Sequence, residues 1–169
     1  FGSYFDRVPE WVEVKDIVDP EFGSSFFTFA DIETNEPNGI TNPEYLNKLD
    51  EFENWLVQQE SVADVSTVSD VVKNLHKNMN GGLEEYYKIP DNKALIAQYF
   101  LMYEFSVPYG MDLKNQMTAD KSSSRMLIRT NYSTAIETVA FNKEVNLWIE
   151  NNLKPFKTNG VAGIPIMMP

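Results

Sequence analysis

Cysteine is absent from the 169 residues, and histidine occurs once. The first absence excludes disulfides, thiolate metal sites and a cysteine nucleophile. It suits the bacterial cytosol and the periplasm equally. The second leaves a zinc site without a second imidazole, and any Ser-His-Asp site would have to turn on His76 alone. Basic runs are also missing: 14 Lys and Arg stand against 25 Asp and Glu, a net charge of -11. A phosphate backbone finds no basic track here, so nucleic acid is not an expected partner. Anionic lipid headgroups would repel such a surface, although a domain tethered to a membrane by its ends is untouched by that argument. Long apolar runs are lacking too. The longest, Leu95 to Phe105 (LIAQYFLMYEF), carries Gln98 and Glu104 and falls well short of the roughly 20 residues of a spanning helix. No signal-peptide pattern is present, and Phe1 in place of an initiator Met leads us to expect an excised piece of a longer protein.

What is there is enough to fold. At 43% hydrophobic and 13% aromatic residues the chain lies outside the disordered class. A single domain over residues 1–169 would bury roughly 70% of its unfolded surface. A short helix is expected before Asp19-Pro20, and SSFFTFADIET, with Phe27, Phe29 and Ile32, suggests a strand. Asn35-Glu36-Pro37-Asn38-Gly39 is a turn cluster.

Thr41 and Glu44 have capping-box spacing with Pro43 in the first turn. Tyr45, Leu49, Phe52 and Leu56 then follow at steps of four, three and four, one face of a helix ending near Gln59, with Trp55 beside it. Ser61 to Val68 alternates as a strand, with Asp64 on its polar side. Thr67 or Ser69 caps the next helix, whose Val71, Val72, Leu75 and Met79 are expected to face inward, and Asn80-Gly81-Gly82 stops it. Asp91 is the expected cap of a helix from about Lys93 to Glu104. Pro108-Tyr109-Gly110 breaks that helix, and MDLKNQM suits one further turn. Ser124 to Tyr132 alternates Met126, Ile128 and Thr130 against Arg125, Leu127 and Arg129, a strand. Thr134 with Glu137 opens the longest helix, Ala135 to Leu153, with Ile136, Ala140, Val145, Trp148 and Ile149 among its apolar positions. After Pro155 a last strand is expected from Phe156 to Ile166.

This order predicts the α+β class. It is a ferredoxin-like split β-α-β arrangement with helices on one face of the sheet. A helical insertion, roughly 71–117, separates the halves, and an extra helix precedes them.

Chemistry-bearing clusters are weak. His76 lies beside Lys73 and Lys77 and not beside acids at ligand spacing, so a partly packed or solvated histidine is the better reading. Asp50-Glu51-Glu53, Glu84-Glu85 and Asp31-Glu33 lack the turn glycine of a calcium loop and read as solvated faces. Asn80-Gly81-Gly82 and Tyr109-Gly110 do not follow a strand with a lysine in place, so neither is a phosphate cradle. Ser122 to Ser124 lack a nucleophile elbow. Arg125 and Arg129 share one side of a strand and could hold a carboxylate or phosphate, with pairing to the acidic excess as the default. No catalytic residue, metal or cofactor is expected. The sharper hypothesis is the Leu95–Phe105 helix, apolar nearly all round. Core burial is the favoured reading, and an apolar groove or subunit contact at Leu95, Tyr99, Phe100, Met102 and Tyr103 is the alternative.

A diffuse pattern over most of the chain resembles a known family. Its parts are Gly39-Ile40, then Pro43-Glu44 with Leu46 and Leu49, and Trp55-Leu56 before Val62 and Val65. Ser66-Thr67-Val68 with Asp70 and Lys73 continues it. Ile89-Pro90, the helix LIAQYFLMYE, Asp112-Leu113 ahead of Arg125, and the ending Val161 to Pro169 follow. Together these resemble the extracytoplasmic domains of predicted exporters of the resistance-nodulation-division (RND) superfamily, in the hydrophobe or lipid-exporter branch. The resemblance implies a β-α-β-β-α-β porter fold on the periplasmic side of the bacterial inner membrane. It implies a proton-driven parent whose relay residues lie in membrane helices outside this chain. The implied partners are a sister periplasmic domain, those helices, and hydrophobic small molecules or lipids; a homo-oligomer of the parent is left open. No binding residue of the family maps onto a specific position. Two rivals remain: a ferredoxin-like ligand-sensing module and, with less support, a small enzyme.

Overall fold

The computed structural model describes residues 26–108, 113–131 and 135–163. The expected N-terminal helix, the Tyr109-Gly110 break and the Thr134 cap lie outside them. Strand β1 (Phe26–Glu33) leads through a 3-10 turn (Gly39–Thr41) to helix α1 (Pro43–Val57) and strand β2 (Val62–Ser66). Helices α2 (Val68–Met79) and α3 (Lys93–Ser106) follow, each trailed by a further 3-10 turn, at Glu84–Tyr86 and Leu113–Asn115. Strand β3 (Ser123–Thr130), helix α4 (Ala135–Asn152) and strand β4 (Lys157–Gly163) complete the order.

The four strands form one sheet in the order β2-β3-β1-β4, and every neighbouring pair is antiparallel. β1 and β2 therefore run parallel with β3 between them, which is the split β-α-β of a ferredoxin-like fold. The insertion enters between β2 and β3, as the element order implied. β1 and β3 pair without interruption from Phe26↔Thr130 to Glu33↔Ser123, whereas both edge strands are irregular. The register shifts between Ala30 and Ile32 against β4 and between Val62 and Asp64 against β2. Such bulges add twist at a sheet edge and make it a poorer template for another chain.

Alternation sorts the sheet into two faces. Thr28, Ala30 and Ile32 of β1 and Ser124, Met126, Ile128 and Thr130 of β3 are buried on the helix side. Phe29, Arg125 and Leu127 lie on the other. Against the buried face α1 sets Tyr45, Leu49, Phe52 and Leu56, buried as the spacing predicted, and Leu46 beside them. Phe52 stacks on Trp55 of its own helix and, at 4.7 Å between ring centroids, on Trp148 of α4. Those rings join α1 to α4. Tyr45 anchors α1 to the sheet: its hydroxyl donates to the Ile32 carbonyl at 2.9 Å and lies 2.7 Å from Ser124 Oγ. Burial pushes the Tyr45 phenol up to about 12.

Several details differ from expectation. Asn42 caps α1, its side chain accepting from the Glu44 N–H at 3.0 Å. Thr41 is not the cap because it closes the preceding 3-10 turn, where its hydroxyl donates to the Asn38 carbonyl at 2.6 Å. Asn92 and not Asp91 caps α3, accepting from the Ala94 and Leu95 N–H groups. Thr67 caps α2 in a capping box with Asp70, and Ser69 falls inside the first turn. Met79 is exposed, and Lys73 is buried in its place. The inner face of α2 runs through Val68, Ser69, Val72 and Lys73, turned toward carboxylates on α1. On α4 the buried line is Thr138, Phe141, Val145 and Ile149, at steps of three and four and continued by Leu153 just past the helix, which leaves Ile136 on the opposite side and 83% exposed.

Candidate functional site

The helix singled out by its composition divides unequally. Ile96, Tyr99 and Phe100 of α3 are buried in the main core with Val72, Leu113 and Ile40. Leu95, Met102 and Tyr103 are partly buried and pack against that core. Tyr99 and Phe100 thus belong to the interior and do not line an open groove. The apolar side chains that α3 does present are Leu101, 49% exposed, and Phe105, 83% exposed. They stand one turn apart on a single line, a position that the all-round apolar sequence did not distinguish from its neighbours.

His76 is tied into the same region. Its Nδ1 lies 2.9 Å from the Tyr99 hydroxyl, and its ring meets Tyr86 edge-on at 5.7 Å. It is a packing histidine joining α2 to α3. Among the described residues no group of three or more His, Asp or Glu is arranged to hold a metal ion.

The strongest electrostatic feature went unrecognised in the sequence because its members come from two helices. Asp50 and Glu53 stand one turn apart on α1, and Asp70 and Lys73 one turn apart on α2. The Lys73 ammonium lies 2.6 Å from Asp50, 2.9 Å from Asp70 and 3.6 Å from Glu53. Tyr87 closes over it, the ring centroid 5.3 Å from Nζ. Burial alone would lower the Lys73 pKa, but its bonds to Asp50 and Asp70 and the nearby charges of Asp70 and Glu53 outweigh that and hold it above its ordinary value. A lysine so held is no nucleophile. Asp50 and Glu53, read with Glu51 as a solvated face, are therefore half of an ion cluster between the helices, while Glu51 stays exposed beside Lys48. The signal that could have found them is the i,i+3 pairing on each helix, with Lys73 next to Val72 on the inner face.

Arg125 and Arg129 do what the acidic excess suggested. Arg125 makes a two-pronged contact with Asp31 at 2.7 and 2.8 Å and rests on the Phe29 ring at 5.4 Å. Arg129 reaches Asp64 at 3.1 Å across to β2. Beside the first pair opens a cleft of about 770 Å³, lined by apolar Leu113 and Met117 and by Ser123, Ser124, Glu104 and Lys114. A neighbouring cleft of about 530 Å³ is acidic, with Asp31, Glu33, Glu36 and Asp120 on its walls. Both lie at the same end of the β1–β3 pair. Mixed lining of this kind offers shape and orientation to a ligand but no nucleophile with its base.

Among the described residues no helix is long and apolar enough to cross a membrane. The chain matches no protein-family model, no curated protein and no solved structure.

Proposed function

We propose that this chain is the extracytoplasmic, porter-like domain of a proton-driven membrane exporter of RND type. In this reading it forms part of the path taken by hydrophobic or lipid-like compounds, on the periplasmic side of the inner membrane. The observation that carries the reading is the strand order β2-β3-β1-β4 with α2 and α3 inserted between β2 and β3. The strand order is that of the β-α-β-β-α-β fold which the resemblance implies, and the inserted helices are additional to it. A fold alone hosts many functions, so the chemistry matters as well. His76 is engaged with Tyr99, Lys73 is saturated by carboxylates, and the larger cleft mixes apolar and polar walls. Such a domain would shape a path, with the energy-coupling groups in membrane helices of the parent and a sister domain opposite.

A cysteine at exposed Asn78 (Asn78→Cys), in the full-length parent with every cysteine outside this domain replaced by serine, should react with a membrane-impermeant maleimide in intact cells whose outer membrane is made leaky. The parent's sequence should also carry an apolar stretch of about 20 residues on each side of the domain. Labelling only after cell lysis, or soluble flanks, would end the exporter reading.

A further inference from the structure

The ion cluster between α1 and α2 is short of protons. It sets three carboxylates, Asp50, Glu53 and Asp70, around the one ammonium of Lys73. The other cation at this place, Lys77, is engaged by Glu84 and lies 5.9 Å from the centroid of the Tyr87 ring. The hydroxyl of Thr67 has one proton to give, yet it lies 3.3 Å from Glu53, 3.2 Å from Asp70 and 2.5 Å from Ser69 Oγ. Asp70 has a further donor in the Thr67 N–H at 3.2 Å, from the capping box. Asp50 and Asp70 hold the short contacts to Lys73, and Glu53 only the long one. Glu53 is therefore the carboxylate least compensated, in a site where Lys73 is 8% exposed.

We propose that Asp50, Glu53, Asp70 and Lys73 form a proton-operated clasp between α1 and α2. With a proton on Glu53 the clasp is closed; without it a second surplus negative charge pushes the two helices apart.

The electrostatics of Glu53 agree with the geometry. Burial, then the charges of Asp70 and Asp50, push its pKa up to about 7, against the weaker opposing pull of Lys73 and the Thr67 hydroxyl. Tyr87, the remaining titratable group over the cluster, is raised by burial and stays neutral in this range. The sign follows from linkage. A carboxylate whose folded pKa exceeds its unfolded value gives a stabilising contribution that is complete below the unfolded pKa. That contribution is lost as pH rises through the folded pKa. For Glu53 the window runs from the ordinary carboxylate value of 4.5 up to about 7.

Two measurements on the whole 169-residue chain decide the matter. In the wild-type protein, the carboxyl carbon of Glu53 followed by NMR should titrate near neutrality; titration in the ordinary carboxylate range overturns the proposal. Urea unfolding should then show the wild-type unfolding constant rising by about tenfold from pH 6 to pH 8 relative to Glu53→Gln, which mimics the protonated state. The same pH slope in both proteins also overturns it. Because the titration needs no variant, a Glu53→Gln chain that failed to fold would leave the first measurement decisive.

Discussion

At the scale of single residues, the cluster around Lys73 separates charge from packing. Breaking a buried ion pair by removing one partner leaves the other uncompensated, at about 3–5 kcal/mol, while an apolar replacement keeps the volume. Lys73→Met is therefore expected to destabilise the chain by about 3 kcal/mol at pH 8, where Asp50, Glu53 and Asp70 would face one another unscreened. The loss should shrink at pH 5, because protons can then take the place of the missing ammonium. Urea midpoints at the two pH values check this, and equal losses would mean that Lys73 acts mainly through its aliphatic stem. A second residue is constrained by space alone. A Cβ on Gly39 would stand 2.0 Å from Thr34 Oγ1 and 2.4 Å from Thr34 Cβ, so the 3-10 turn ahead of α1 must shift to admit it. Gly39→Ala should cost about 1–3 kcal/mol by thermal unfolding. Gly39→Ala in a Thr34→Ala background should recover part of that loss, since the Oγ1 contact is then gone.

At the scale of elements, what could be read in advance depended on how local the signal was. The stripe Tyr45, Leu49, Phe52 and Leu56 was legible because α1 packs one face on the sheet and repeats it over three turns. The alternation in β3 was legible for the same reason, with period two. The inner face of α2 departs from its apolar pattern at Met79 because it includes Ser69, bonded to Thr67, and Lys73, which Asp50 and Glu53 of α1 join Asp70 in compensating. No periodicity within α2 contains that information. The caps were misplaced by one residue at α1 and α3, where two adjacent side chains could each serve and neighbouring turn geometry chose between them. The candidate groove on α3 shows the same limit. A helix apolar all round gives no sign of which side its neighbours cover, and Tyr99 and Phe100 turned out to face the core. A matched set of substitutions tests that division. Phe100→Ala should cost about 3–5 kcal/mol of stability, whereas Leu101→Ser and Phe105→Ser should stay within about 0.5 kcal/mol. Binding of a hydrophobic dye should fall in the two serine variants. Dye binding that falls only in Phe100→Ala would instead place the accessible apolar surface in the interior.

At the scale of the whole molecule, the question is whether the insertion between β2 and β3 is an appendage or part of the structure. The core answers in favour of integration. Ile96 and Phe100 of α3, Leu113 beyond it and Val72 of α2 belong to the same buried cluster as Ile32, Met126 and Phe52. α3 packs on α2 and on the Gly39–Thr41 turn, and α2 is bound to α1 through Lys73. With one continuous core spanning sheet and insertion, the chain should unfold in a single cooperative step. Trp55 and Trp148 report on the α1–α4 seam, where their rings lie 5.6 Å apart, once Trp11 is replaced by Phe. Hydrogen exchange at the α3 amides reports on the insertion. The tryptophan fluorescence midpoint in urea and the concentration at which α3 amides lose protection through global opening should coincide. If α3 opened first, at clearly lower urea, the insertion would be a separately stable layer. The clasp between α1 and α2 would then be its attachment and not a part of the common core. Coincidence at pH 6 with separation at pH 8 would connect the two scales, since loss of the Glu53 proton would have loosened the hold of α1 on the inserted helices.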